Sequence, residues 1–377
     1  MTVSNPIPEI NNNSTNTESL THHDPKIMKN NQIVKLLQTK SRSKKAVRTF
    51  LYTFADVKAA AVDSLVSTLK ELPSDTSDTI VAGIIFDWYR SLTTNEKIGF
   101  AMTDKEYQLN KARNIAAVIT SNMTDRQKKN LRGKALLDVG AGDCAMTYLV
   151  AQQLQMKSNG VDIQTEIDWG GENSSDKKTK NPYMSQVDHY YVYDGSNLLA
   201  ALEGKKFKVV MYNHSLHHFP SFQDQLRSLE QAYDALEPGG FLFLSEHANC
   251  FEDDILDLSH LLLNLRYSID KQQITSQEAA EKAIKQFKSE YQSHYFSKNM
   301  IDIMTKRFGF ILHHEEIRSK DDVAKATFYC FVKASPKHQL KEWPMFFDTN
   351  AASRLHHVIE TPVVKESSVR SLAESPR

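Results

Sequence analysis

An apolar run that stops at an acid and two glycines is the first place in this chain where side chains could do chemistry. The stretch is Leu136-Leu137-Asp138-Val139-Gly140-Ala141-Gly142-Asp143-Cys144, and a helical pattern comes after it. Glycines let the backbone turn sharply and come close to a ligand. The ligand then meets the free amides that open the next helix. Two glycines alone are a weak signal: an ordinary turn looks the same, and Cys144 stands where a dinucleotide fingerprint has its third glycine. The order of the next segments adds specificity. Gly160-Val161-Asp162-Ile163 ends the second strand-like run with an acid, and a carboxylate there can accept both hydroxyls of a bound ribose. Tyr193-Asp194-Gly195 places another acid after a third run. Val209–Tyr212 leads into Asn213-His214-Ser215-Leu216-His217-His218-Phe219, and Leu236-Glu237-Pro238-Gly239-Gly240 precedes a fifth run.

His214, His217, His218 and His247 fall near the ends of the fourth and fifth runs, with Glu246 just before His247. Asp257 and His260 stand three apart on a predicted helix and so share a face. Three readings are open for the cluster. Neutral imidazole has a pKa near working pH and can take a substrate proton. His, Glu and Asp are also suitable metal ligands. The third reading is packing and loop structure without catalytic duty. His247 and His260, with His214, are the candidates for proton transfer, and no residue is assigned to a metal.

Elements must hold these residues in place. Residues 27–130 read as helical. Phe50, Phe54, Val57, Ala61, Leu65 and Leu69 recur at spacings of three and four, one helical face, and Leu72-Pro73-Ser74-Asp75 ends it. Ile80–Leu92 and Asp104–Ile119 read as two more helices. From Lys134 short β-type runs alternate with helices: strands at Ala135–Val139, Asn159–Ile163, Tyr190–Tyr193, Val209–Tyr212, Phe241–Ser245, Phe310–Ile317 and Thr327–Ala334. Helices fall at Met146–Leu154, along the face Phe222, Leu226, Leu229, Tyr233 and Leu236, and at Asp253–Tyr267, Ser276–Tyr291 and Met300–Phe308. Such alternation predicts an open, mostly parallel sheet with helices on both faces.

Composition narrows the function classes. Apolar residues are 40% and charged residues 24% of 377, enough for a sizeable core. Lys+Arg and Asp+Glu are 46 each, which excludes a strongly basic chain held to nucleic acid by bulk charge. Cys144, Cys250 and Cys330 are far apart and odd in number, so they build neither a disulfide framework nor a CxxC zinc site; a reducing compartment is expected. No apolar run is long enough to span a bilayer, and the polar start MTVSNPIPEINNNSTNTESLTHHD reads as no secretory signal. Export by another route stays open. Residues 1–26 and the tail from about Thr361 are too poor in large apolar groups to order themselves and are expected to be disordered.

Together these motifs resemble those of the class I S-adenosylmethionine-dependent methyltransferases, of the type 11/12-like kind. LLDVGAGDC resembles motif I, GVDI the ribose-binding acid after strand two, and YDG the adenine-side acid after strand three. YNHSLHHF resembles the strand-four motif of the small-molecule branch, and LEPGGFLFLSEH the segment before and through strand five. The match spans Lys134 to Ala334. It implies a Rossmann-like seven-stranded sheet, mostly parallel with the last strand antiparallel, and an N-terminal helical lobe. The implied organisation is a disordered segment 1–26, a helical lobe or cap 27–130, a methyltransferase domain 131–336 and an extension 337–377. S-adenosyl-L-methionine is the implied cofactor. Asp138 would meet its methionine end, Gly140 and Gly142 would leave it room, and Asp143 or Cys144 would line that loop. Asp162 would hold the ribose, Asp194 and Gly195 would sit at the adenine, and Asn213 and His214 would face the sulfonium and the acceptor.

The resemblance implies a cytoplasmic enzyme acting on an O, N or C nucleophile of a small-molecule acceptor. An RNA or protein acceptor is the alternative, suited by the cationic runs 40–48 and 128–134, although these read first as solvated helix ends. A methyltransferase-like binding module without turnover is a third reading. No lysine tetrad of ribose-methylating enzymes, no Asn/Asp-Pro-Pro-aromatic signature and no Pro-Cys motif is present. Gln164–Pro182 departs from the family where a helix is usual; it reads as a polar insertion or as a lid carrying Trp169. Tyr107 and Arg113 are further candidates for contact from the helical lobe. SEHANCFEDDILDLSH also resembles a segment of some unassigned members of the superfamily and names no substrate.

Overall fold

The structure is a computed structural model. It describes residues 33–40, 43–55, 57–93, 95–97, 105–163, 183–247, 253–270, 272–290, 293–317 and 326–334. The two terminal segments, the Gln164–Pro182 stretch with Trp169, Cys250 and the extension beyond Ala334 lie outside the described residues.

Seven strands form one sheet: β1 Ala135–Val139, β2 Lys157–Asp162, β3 His189–Val192, β4 Phe207–Asn213, β5 Leu236–His247, β6 Phe310–Ile317 and β7 Ala326–Lys333, in the order β3-β2-β1-β4-β5-β7-β6. Strands β1 to β5 pair in parallel, and β7 runs antiparallel to both β5 and β6. This is the mostly parallel sheet with an antiparallel last strand expected from the sequence. Strand order reverses between β1 and β4, where Asp138 lies level with Gly160 on one side and Met211 on the other. Crevices for ligands open at the carboxyl ends of strands flanking such a reversal.

Successive strand residues face opposite sides of a sheet, and the apolar sequence here fills both. Leu137, Val139, Val210, Tyr212, Leu242 and Leu244 share a core with the helices α9 (Phe222–Ala235) and α12 (Lys298–Lys306). Leu136, Val209, Met211, Phe241 and Phe243 share another with α5 (Lys105–Thr120) and α7 (Ala145–Leu154). The short helices α6 (Asp125–Lys129) and α8 (Leu198–Ala201) complete the connections.

A third core is wholly helical. It joins α1 (Ile33–Thr39), α2 (Ser43–Ala55), α3 (Ala59–Glu71) and α4 (Asp78–Ser91) to α10 (Asp253–Asp270) and α11 (Gln277–Glu290). The helical layer is therefore assembled from two stretches of chain, the second inserted between β5 and β6, while α5 lies on the sheet. Two local expectations change. The face running from Phe50 to Leu69 is not one helix: α2 ends at Ala55 and α3 begins at Ala59, because Val57 bridges Lys97 and the Lys58 amide donates to the Glu96 carbonyl at 3.0 Å. Likewise the fifth strand does not wait for Phe241 but starts directly after α9 ends at Ala235. Leu236 already pairs with Phe207, and the register shifts before Val209 meets Phe241. Among the described residues no helix is long and apolar enough to cross a membrane.

Candidate active site

Asp138 is an acid inside an apolar strand, and it is buried. Thr147 on α7 donates to its Oδ2 at 2.7 Å, while Oδ1 has no partner among the described residues. Burial is the main cause that pushes its carboxyl up to about 7, helped by the charges of Asp162 and Asp143 and opposed by Thr147 and Lys111.

The turn after β1 carries the two glycines in the left-handed region, Gly140 at φ +72° and Gly142 at +53°. A Cβ on Gly140 would come within 2.5 Å of the Ser215 Cβ. Ser215 cannot easily yield, because its hydroxyl donates to the Val139 carbonyl at 2.6 Å. Asp143 Oδ1 accepts from the Ala145 amide at 2.9 Å and so caps the start of α7. Cys144 is fully buried, has a left-handed backbone, and its thiol is pushed up to about 12 by burial; it is a packing residue.

Asp162 ends β2. Its carboxylate accepts from the Gly142 amide at 3.0 Å and the Ile163 amide at 2.7 Å, which ties the glycine turn to the strand's end. Asp194 is exposed and accepts from the Ser196 and Asn197 amides, both at 2.8 Å; these bonds hold its carboxyl below the usual range. Gly195 beside it takes φ +81°. Asn213 ends β4 with a buried Oδ1 that has no partner among the described residues.

The chain then leaves β4 through His214, a non-glycine residue at φ +55°. Its amide donates to the Ser245 carbonyl at 2.7 Å, and its Nε2 lies 3.1 Å from the Ser245 hydroxyl. Left-handed backbone at a bulky residue persists only where the surroundings hold it. A 3-10 turn at Leu216–His218 comes next. It is held by Glu246, whose Oε1 accepts from the Ser215 and Leu216 amides at 3.1 and 2.8 Å. Its Oε2 lies 2.6 Å from His217 Nδ1. Both members of this pair are buried, and burial disfavours charge on each: it pushes Glu246 up to about 8 and holds His217 well below its ordinary value.

His247 ends β5 and His260 stands in α10. With His217 their ring centroids lie 4.9, 5.3 and 5.8 Å apart, and His214 is 4.9 Å from His247. Phe50 of α2 packs on His260 with centroids 4.8 Å apart and also lines the cavity, so the helical layer contributes to its wall. One cavity of about 1070 Å³ joins the two groups. Asp138, Gly140, Gly142, Asp143, Asp162, Asp194 and Gly195 line one side of it, Asn213 and His214 its middle, and His217, His247 and His260 its far end.

Tyr107 also lines the cavity, but Arg113 does not; it bonds Asn110 at 3.1 Å on the same helix. Asp257 is turned to structure, accepting from the Ser293 and Tyr295 hydroxyls, both at 2.6 Å. Sequence pattern does not mark the His217–Glu246 pair as a unit, nor the cavity-lining Lys111 and Arg266. A signal exists for Glu246: it is the lone acid in the strand FLFLSEH.

A family model described as a methyltransferase domain matches residues 109–315. No curated protein sequence matches the chain. Among solved structures it is similar to a CurJ carbon methyltransferase, 15% identical with TM-score 0.40 over 80% of this chain and 70% of that one. It is also similar to magnesium protoporphyrin IX methyltransferase (ChlM) from Synechocystis PCC 6803 with bound SAH, 13% identical with TM-score 0.39 over 67% and 99%. A third is the Burkholderia thailandensis 1,6-didemethyltoxoflavin-N1-methyltransferase, 14% identical with TM-score 0.37 over 70% and 93%.

Proposed function

The chain belongs to the class I S-adenosylmethionine-dependent methyltransferases, and from that premise we propose that it methylates an O, N or C nucleophile of a small molecule. The observation that carries this reading is the single cavity in which the acids and glycines at the ends of β1 to β3 face the histidines beyond β4 and β5.

The residues on the glycine side suit the cofactor. Asp138 keeps a buried oxygen without a partner among the described residues, as an amine-binding carboxylate would. Gly140 has no room for a side chain, and Asp162, Asp194 and Gly195 line the same cavity, where we assign Asp162 to the ribose and Asp194 and Gly195 to the adenine. When bound, S-adenosylmethionine supplies an electrophilic methyl group on a sulfonium. The protein's part is to hold donor and nucleophile close and in line. His214, next to Asn213 and with its ring 3.1 Å from Ser245 Oγ, is the proton acceptor nearest the cofactor side. His247 and His260 form the acceptor end.

A buried end walled in part by Phe50 suits a small acceptor better than a macromolecule. The cationic runs favour RNA less than their sequence suggests, since Arg48 pairs with Asp63 at 3.1 Å and Lys134 with Glu237 at 3.4 Å. We place the reaction in the cytoplasm, where the free thiols Cys144 and Cys330 would stay reduced. We read residues 131–336 as the catalytic domain and 27–130 as its cap, with the inserted α10 and α11 joined to that cap.

The test uses methyl-labelled S-adenosylmethionine, the purified protein and a cell extract separated into small molecules, RNA and protein. Label in the small-molecule pool, reduced by His214→Ala, supports the proposal. Label confined to RNA or protein overturns the acceptor class. Bound cofactor with no transfer to any pool favours a binding module.

A further inference from the structure

We propose that His217, His247 and His260 form a site for one divalent transition-metal ion of the zinc type, with a coordination position left open to the cavity. Three separate elements bring these imidazoles together: the turn after β4, the last residue of β5 and the middle of α10. All three are buried. One ring nitrogen from each can be chosen so that all lie within 4.8 Å of one another. A tetrahedral zinc ion with Zn–N bonds of about 2.0–2.1 Å wants these nitrogens roughly 3.4 Å apart. The rings would have to draw in by about an ångström, within reach of small side-chain rotations.

The orientation of the rings is the second observation. His217 Nδ1 faces Glu246 Oε2 at 2.6 Å, and His260 Nδ1 faces the Leu256 carbonyl at 2.9 Å. A carbonyl can only accept, so in neutral His260 the proton sits on Nδ1 and Nε2 carries the lone pair. Carboxylates and backbone carbonyls on the far nitrogen are the usual support of histidines that bind metal. Glu246 is itself fixed by the Ser215 and Leu216 amides. The Nε2 of His217 is buried and has no hydrogen-bond partner among the described residues; it offers a lone pair to an ion when Nδ1–H donates to an ionised Glu246. A buried polar atom left unpaired is costly, and an ion would satisfy it.

The set contains only nitrogen donors, which suits zinc, cobalt, nickel or copper rather than magnesium or calcium. The open position faces the cavity, where it would take water or an oxygen of the acceptor. That last assignment rests on the methyltransferase reading; the site itself does not.

The test is metal binding by the full chain, read without any methyl transfer. The protein is stripped with chelator, and Zn²⁺ or Co²⁺ is returned under equilibrium dialysis. We expect one equivalent per chain, with the visible absorption of tetrahedral Co²⁺. His260→Gln and His217→Gln should abolish it, and Glu246→Gln should weaken affinity about 10–100-fold. Cofactor affinity and thermal unfolding of each variant show whether it is folded. Two outcomes overturn the site: less than a tenth of an equivalent bound by the folded parent, or binding undiminished in both folded histidine variants. The second would trace the metal to the His22-His23 or His356-His357 pairs. The first of these outcomes, with methyl transfer by the parent intact, overturns the site and leaves the methyltransferase reading standing. Metal bound by a chain that transfers nothing leaves the site standing and counts against the enzymatic reading.

Discussion

Thr147 on α7 donates its hydroxyl to Asp138 on β1 across 2.7 Å, the only described hydrogen bond to a carboxyl that burial has raised to about 7. Asp162 and Asp143 face it with negative charge, and Lys111 with positive charge. Cofactor binding through the amine requires the ionised form, so affinity should rise between pH 6 and pH 8. Isothermal titration across that range checks this; a flat affinity for the parent would remove Asp138 from the amine site.

The same carboxyl should shape stability. Its folded pKa lies above the ordinary value of 3.8, so its contribution is fully favourable below that value and is lost as pH rises to about 7. Without cofactor, the parent should lose thermal stability over this window relative to Asp138→Asn. Parallel curves for the two proteins would contradict the buried, uncharged state.

Gly140→Ala places a Cβ against Ser215 in a left-handed backbone. The backbone alone costs about 1–2 kcal/mol. Lower unfolding temperature and at least tenfold weaker cofactor binding are expected. Parent-like values of both would mean that the turn has slack.

Asp162→Asn removes the charge and keeps only one of the two oxygens that accept from the Gly142 and Ile163 amides. If the residue holds ribose, cofactor affinity should fall at least tenfold, alongside a stability loss of about 1 kcal/mol for the one amide bond removed. Equilibrium dialysis with labelled cofactor would expose an unaffected variant and with it a purely structural Asp162.

Tyr212 sits in the strand-four motif, yet it points into the core. Its hydroxyl lies 2.7 Å from Ser228 Oγ and 3.1 Å from the Ser228 carbonyl. Tyr212→Phe should cost about 1–2 kcal/mol of stability in urea unfolding and leave cofactor affinity unchanged. A change in affinity would give Tyr212 a place at the site.

Much of the sheet was legible because strand residues alternate and helix residues recur at three and four. Ala135–Val139 and Phe310–Ile317 emerge as read, and most other elements shift by a few residues at their ends. The break between Ala55 and Ala59 was not legible: the apolar spacing continues through it, and only the pairing of Val57 with Lys97 interrupts the helix. The inserted pair α10 and α11 looked like part of the α/β alternation, since amphipathic periodicity says which face is buried but not against what.

The glycine turns and strand-end acids were visible in the chain itself because they are local, and parallel-strand topology brings such ends together. The histidine cluster was decided in three dimensions. Sequence singled out His247 and His260, with His214, for proton transfer and left His217 in the cluster without a role of its own. Only the fold seats His217 on Glu246 and aims His260 by a carbonyl of its own helix. His217 and Glu246 stand 29 positions apart and Phe50 and His260 stand 210 apart, and a local pattern carries no information about which distant side chains share a buried space.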